Sequence, residues 1–460
     1  MQGQTTRNGK LAITDESQLV FGQCPRPVTC GRGLTIGAGT VYPELNFTLP
    51  PMLVEEHSWQ QVIGHYDRIG QAVVRRASAL NLPGVVLEFE QLPAMTERPQ
   101  WGAEITAILQ KHLQTLHEKT GMPTALRVTV VDLREMQRPP LLRTGAGWER
   151  TREAFICAAQ AGADILSIES VGGKEVHDEA LTMGDLPGIV WSLGSLSCRD
   201  MAWLWQQISE IAAKYGAVSG GDTACGFGNT AMQLAGKGML PSVLAALVRA
   251  ATIPRSLVAF EHGAVGPSKD CAYEGPAMKA ITGVPISMEG KSSSCAHFSP
   301  LGNIAGAAAD LWSNESVQNV QLLSGSAPEA FLELLAYDCR LFNTAAARGK
   351  ATEYRDWMVA SDLPHSVEAL MLEPSFVLGV SKAVVEQQDG YARTLAAVRF
   401  ARDAINAAVS NGTTQIPARE KAWLTRLSAA VDSLPETEAE AFETVGANYA
   451  HLFNRESYGL

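Results

Sequence analysis

Apolar residues recur along this chain in two rhythms. Eight short runs of apolar or β-branched residues, at 85–89, 126–131, 165–168, 188–193, 217–220, 257–260, 284–287 and 320–323, have the length and content of parallel strands buried on both faces. Between them apolar positions return at helical spacing, as in 101–119, 150–161, 199–215 and 230–251. Strand and helix in alternation predict βαβ units and a parallel sheet. Eight such units in series predict an α/β fold of the TIM (β/α)8 barrel type rather than an open sheet. Ahead of them, 24–51 is rich in Gly and Pro and reads as loop, and 53–80 reads as one long helix. Past residue 330 only helical patterns appear, at 329–347, 366–388, 391–410, 417–433 and 436–454. The expected organisation is an N-terminal loop and helix layer (1–82), the barrel (83–330) and a helical C-terminal extension packed on it (331–460).

Composition narrows the partners. The chain has 460 residues, 46% of them hydrophobic, enough for a large core. Its net charge is -11, from 37 basic and 48 acidic residues, without a long basic tract. Nucleic acid and anionic membrane surfaces are therefore poor partners. No apolar run is read as reaching the ~18–20 residues of a membrane span. Residues 1–17 lack the apolar stretch of a signal peptide, so the expected compartment is the cytoplasm. The eight cysteines (24, 30, 157, 198, 225, 271, 295 and 339) are too sparse for a disulfide framework and are expected to be thiols. Cys157 and Cys339 lie in apolar helical runs and read as core.

The chemistry gathers where the strands are expected to end. Glu88 and Glu90 flank the end of the first run, and Asp132 and Glu169 end the second and third. Asp222 follows the fifth, Glu261 and His262 the sixth, and Glu289 the seventh. Acids at the C-terminal ends of barrel strands mark a site-bearing face, although each could equally cap a helix or pair with a basic residue. Cys225 and Cys271 sit in loops on that face. With Glu169 they would supply two thiolates and one carboxylate, a donor set suited to Zn²⁺ with one position left open. The same three residues also read as two buried cysteines and a salt-bridged glutamate. Weaker alternatives are the pair Cys24 and Cys30, and the pair Cys295 and His297 behind Ser292, Ser293 and Ser294. The glycine-rich stretch 31–39 lacks the Lys-Ser/Thr of a phosphate loop, and no serine stands in a GxSxG context.

Three stretches, 165–175 around Glu169, 221–232 around Cys225 and 266–275 around Cys271, resemble the methanol:corrinoid protein methyltransferases of methanol-utilising methanogens and acetogens. Residues 39–48 resemble that family too, and the likeness runs over nearly the whole chain. The resemblance implies a zinc-dependent barrel with Glu169, Cys225 and Cys271 as ligands. It also implies a corrinoid-carrying partner protein in a hetero-oligomer, self-association, and methanol as substrate. Hydroxide is a poor leaving group, so the implied reaction needs a Lewis acid and a proton at the departing oxygen. Asp270, Glu261 and His262 are the candidate donors of that proton, with Lys174 and His177 behind them. The chain has no DxHxxG cobalamin-binding pattern, so the corrinoid is expected on another polypeptide. Two other readings stay open: a zinc barrel that demethylates a methoxy compound or a methylamine, and a metal-free scaffold of a methyl-transfer complex.

Overall fold

Strands begin earlier in the chain than its apolar runs suggest. The structure is a computed structural model that describes residues 9–271, 273–290, 302–318, 320–323 and 325–460. β1 (Gln23–Cys30) and β2 (Leu34–Ala38) form an antiparallel hairpin. One all-parallel sheet follows, made of β3 (Tyr42–Thr48), β4 (Val85–Glu90), β5 (Thr124–Val130), β6 (Ile165–Ile168), β7 (Val218–Asp222), β8 (Ser287–Glu289) and β9 (Leu311–Val317). Its spatial order is β7-β6-β5-β4-β3-β9-β8. The fold is α/β and TIM-like, and among the described residues the sheet has seven strands rather than eight.

The eighth position is held by irregular chain. Residues 264–270 run beside β7, with Val265 N–H donating to Ser219 O at 2.8 Å and Gly266 N–H to Gly220 O at 2.7 Å. Ser287 N–H of β8 reaches Ser268 Oγ at 3.4 Å from the other side. Gly221, at φ +154°, lets the two segments touch, since a Cβ there would stand 3.1 Å from Ser268 Cα.

Four of the expected strands need correction. The run 188–193 belongs to helix Leu186–Trp191 and the π-helical turn Ser192–Ser197, and 257–260 lies in helix Ile253–Glu261. The run 284–287 meets β8 only at Ser287, and 320–323 contributes only Gln321–Leu322, paired with Gly325–Ser326. Short runs buried all round look alike whether helical or extended. The reading of 24–51 as loop also fails, because it holds β1, β2 and β3. Residues before 82 thus supply one sheet strand as well as the hairpin and helix Trp59–Leu80. Ser242–Glu261 is long and apolar enough to cross a bilayer by length and composition, contrary to the reading above. In the fold it is almost wholly buried, and it is broken at Thr252 between two helices.

β4, β5 and β6 alternate between an apolar outer face and an inner face that becomes polar along the strand. Val85, Leu87, Phe89, Leu126, Val128, Leu166 and Ile168 pack outward in the main core. Inside, Val86, Ala125, Ile165 and Leu311 form an apolar floor, closed from below by Cys30, Leu34 and Ile36 of the hairpin. Above it Arg127 donates to Glu44 (2.6 and 3.2 Å), Ser167 Oγ (2.8 Å) and Pro267 O (3.0 Å). Glu44 also accepts from Ser287 Oγ at 2.9 Å and Ser313 Oγ at 3.0 Å. Contacts joining β3, β5, β6, β8, β9 and the 264–270 segment require the sheet to curl on itself. Arg127 and Glu44 are fully buried, and these extra hydrogen bonds are what make such burial tolerable.

The helical extension packs on this frame. Helix Gly390–Ser410 lies against Ser242–Ala251, and Pro374–Val385 lies against Gly275–Thr282. The C-terminus reaches the loop after β6, where Gly173 N–H donates to Tyr458 Oη at 2.9 Å.

Candidate functional site

Four chain segments open on one funnel at the C-terminal ends of the strands. β6 runs into Glu169, β7 into Cys225, the 264–270 segment into Cys271, and β8 ends on Glu289. Two buried carboxylates lock the loops to one another. Asp222 accepts from Thr223 N–H at 2.8 Å, Ser170 N–H at 3.3 Å and the Trp205 indole at 3.3 Å. It thereby fixes the residues beside Glu169 and Cys225 together. Glu274 accepts from Ala224 N–H at 2.9 Å and Ser256 Oγ at 2.7 Å, which ties the Cys271 loop to the Cys225 loop. Arg255 adds bonds to Ser170 Oγ at 2.6 Å and Thr223 O at 3.1 Å.

The sulfur atoms meet inside this frame. Cys225 opens a π-helical turn, Cys225–Asn229, and receives the Asn229 amide N–H at 3.3 Å. π-Turns often occur at functional positions. The Cys271 thiol is in hydrogen-bond contact with the Cys225 sulfur and with the Glu289 carboxylate, which also takes the Tyr273 hydroxyl. Cys271 sits at φ +57°, a left-handed conformation unusual for a residue with a Cβ. The bond from Cys271 pulls the Cys225 pKa down, but burial and the carboxylates of Glu169 and Glu289 outweigh it and hold the pKa at about 11. Burial first, then Cys225 and the nearby acids, push Cys271 well above its ordinary value. Without a cation, both are thiols at neutral pH.

Beside them lies a charged hub absent from the sequence reading. Lys269 is 1% exposed and faces Asp270 at 2.6 Å, Glu169 at 3.2 Å, Glu88 at 3.5 Å and Glu90 at 3.7 Å. Burial alone would lower its pKa, but the four carboxylates raise it well above the ordinary value. Enclosure by the funnel walls lifts Glu169 to about 7, against the pull of Lys269. Its side chain is still 35% exposed, leaving an open face toward the funnel.

The candidate residues therefore divide. Cys225 and Cys271 touch, Glu169 and Asp270 meet at Lys269, and Glu169 lies near enough to Cys225 to raise its pKa. Glu261 and His262 do not: they end a helix, level with the start of β7, where Gly263 O accepts from Ser219 Oγ. Glu261 pairs with Arg393 at 3.0 Å and His262 with Val258 O at 2.9 Å. Lys174 pairs with Asp178, and His177 packs edge-on against Phe227 behind the Cys225 turn. Cys24 and Cys30 stay protonated, raised chiefly by burial to about 12, and Cys30 is part of the barrel floor. Cys295 and His297 lie outside the described residues. Lys269, Tyr273, Asn229 and Arg249 were missed. The one usable signal was Arg249, a lone charge in the apolar helix Ser242–Ala251 that had to find a buried partner.

Among the described residues, no group of three His, Cys, Asp or Glu side chains stands ready-made for a metal ion. The donor types nonetheless suit Zn²⁺, with two thiols in mutual contact and a carboxylate on an open face. One oxygen of Asp270 and one of Glu88 are buried without a partner among the described residues, so the funnel carries more acceptor capacity than Lys269 satisfies.

Comparison with known proteins finds relatives that match over nearly the full length. A methanol–corrinoid protein co-methyltransferase of Methanosarcina barkeri (strain Fusaro / DSM 804) is 37% identical over 461 residues, covering 99% of each chain. A chain in the crystal structure of the methanol:cobalamin methyltransferase complex MtaBC from Methanosarcina barkeri superposes with a TM-score of 0.94 at 36% identity. That match covers 98% of this chain and 99% of the other. Residues 5–459 match the profile of the methanol-cobalamin methyltransferase B subunit, MtaB, and the chain belongs to that family.

Proposed function

We propose that this chain is a zinc-dependent methyltransferase that activates methanol and passes its methyl group to Co(I) of a corrinoid carried by a separate protein. The observation that supports the reading is the convergence of Glu169, Cys225 and Cys271 on one funnel with an open face. These three residues would hold Zn²⁺, which when bound supplies Lewis acidity toward the methanol oxygen. In the transfer the C–O bond breaks and a Co–C bond forms. Cobalt provides both electrons, and the oxygen leaves as water once it has gained a proton.

The chain's own residues must supply that proton, since three anionic donors leave a metal ion a weak acid. Lys269 Nζ holds a proton 2.6 Å from Asp270 Oδ1, and the other oxygen of Asp270 has no partner among the described residues. We assign the Lys269–Asp270 pair as the proton source, the proton resting on Lys269 Nζ and passing through Asp270 to the departing oxygen. Asp270→Asn is expected to slow methyl transfer by ~10²–10⁴-fold while zinc content stays the same. An unchanged rate removes the assignment. In the same reading the chain is a cytoplasmic, self-associating subunit, and its funnel mouth receives the corrinoid protein.

The test is the metal content of the purified protein together with optical detection of methyl-Co(III) from the corrinoid protein. Stoichiometric zinc and a methanol-dependent signal are expected. A signal from a methoxy compound or a methylamine but not methanol would overturn the substrate, and protein without zinc that still transfers methyl would overturn the metal.

A further inference from the structure

Arg249 is 1% exposed and stands behind both cysteines. Its Nη2 donates to Asn229 Oδ1 at 2.5 Å, which turns the Asn229 amide N–H toward Cys225 Sγ at 3.3 Å. The same guanidinium lies 4.6 Å over the centre of the Tyr273 ring, whose hydroxyl is bonded to Glu289, the carboxylate in contact with Cys271. Its Nη1 lies 3.9 Å from Glu274, the residue that ties the two cysteine loops together. One side chain thus touches the immediate partners of both sulfurs without touching either sulfur by hydrogen bond. We propose that Arg249 is a positioning residue that sets the donor strength of both thiolates, through Asn229 on Cys225 and through Tyr273 and Glu289 on Cys271.

The physical reason lies in the weak Lewis acidity of a thiolate-rich site. An N–H donated to a thiolate withdraws charge from sulfur, so the sulfur gives less to the ion it binds. A hydroxyl on Glu289 likewise draws charge from the carboxylate that faces Cys271, which eases the repulsion between that carboxylate and the thiolate once Cys271 has lost its proton. Arg249 orders both donors at once, and its positive charge is held in place by Glu274 and by the face of Tyr273. A purely structural role, in which Arg249 only neutralises Glu274, would leave sulfur's electronic state unaltered.

The proposal rests on Cys225 and Cys271 being metal ligands, and the experiment separates the two ideas. The full chain is loaded with Co²⁺, and thiolate-to-cobalt charge transfer is recorded for wild type, Asn229→Ala, Tyr273→Phe and Arg249→Met. Wild type is expected to show the band. Asn229→Ala is expected to move it to lower energy and, because the more basic Cys225 sulfur then holds its proton more tightly, to weaken Co²⁺ binding at neutral pH by about 10–100-fold. Tyr273→Phe is expected to weaken binding as well, and Arg249→Met to do at least as much as either. If Arg249→Met does not fold, Asn229→Ala and Tyr273→Phe decide the matter. A wild-type band with all folded variants unchanged in energy and affinity overturns the role of Arg249 and leaves the ligands standing. No band in wild type overturns the ligand assignment, and the proposal with it.

Discussion

Replacing Cys271 with alanine is expected to strip the purified protein of zinc and to take methanol-dependent methyl-cobalt formation below detection, and Cys225→Ala should do the same. Structural zinc sites bind with roughly 10–16 kcal/mol of apparent free energy, so losing one of three protein ligands should cost about 3–5 kcal/mol, or roughly 10²–10⁴-fold in affinity. Cys157→Ala serves as the control, because Cys157 lies on helix Gly145–Gln160 outside the barrel and should keep its zinc. The backbone separates loss of metal from loss of fold. Cys271 is held at φ +57°, where alanine fits no better than cysteine but glycine is at ease. Cys271→Gly should therefore melt higher than Cys271→Ala, by about 1 kcal/mol, while both lack zinc. Both thiols are raised well above neutrality, so zinc uptake by wild type should release protons and strengthen as pH rises. Zinc retained at full stoichiometry in both alanine variants would end the assignment.

How much of this could be read from the residues alone depends on what faces the barrel interior. β4, β5, β6 and β7 were legible because their runs are apolar or small on the outer face. β3 and β9 were not, because Glu44, Asn46, Ser313 and Glu315 make Tyr42–Thr48 and Leu311–Val317 look like polar loop. Those polar residues are inward-facing, and Glu44 is central to the network around Arg127. The opposite error has the same root. The run 188–193 and all of 257–260 but Phe260 are buried, so nothing in their pattern separates helix from strand. The placement of the metal candidates did not depend on these strands. Glu169 and Cys225 follow true strands, and Cys271 follows the irregular segment that fills the eighth place. Glu261 and His262 did not survive, because their placement depended on a strand that is a helix. Lys269, Tyr273 and Glu274 flank Cys271 in sequence, but only the folded chain shows which carboxylates and loops they reach.

Lys269→Met should produce the largest loss of stability among single changes at the site that spare the ligands. The ammonium is the shared cation of Asp270, Glu169, Glu88 and Glu90, all within 3.7 Å. Breaking a buried ion pair from one side typically costs about 3–5 kcal/mol, and here two of the stranded acids, Glu88 and Asp270, are fully buried. The loss should depend on pH, and its sign follows from Glu88. Burial raises the folded-state pKa of Glu88 well above its ordinary value of 4.5, and Lys269 is the leading influence pulling it down. A carboxyl raised in the folded state keeps a proton that the unfolded chain has released. Its contribution is therefore present below about pH 4.5 and is lost as pH rises through the folded pKa. Without Lys269 that pKa climbs further, and the decline extends to higher pH. Denaturant midpoints of wild type and Lys269→Met should therefore lie closer at about pH 5 than at about pH 8. Adding Glu88→Gln to Lys269→Met removes one ionisable group from the stranded set and should recover part of the loss at the higher pH. Equal destabilisation at both pH values, with no recovery from Glu88→Gln, would mean that Lys269 stabilises the funnel by packing rather than by its charge.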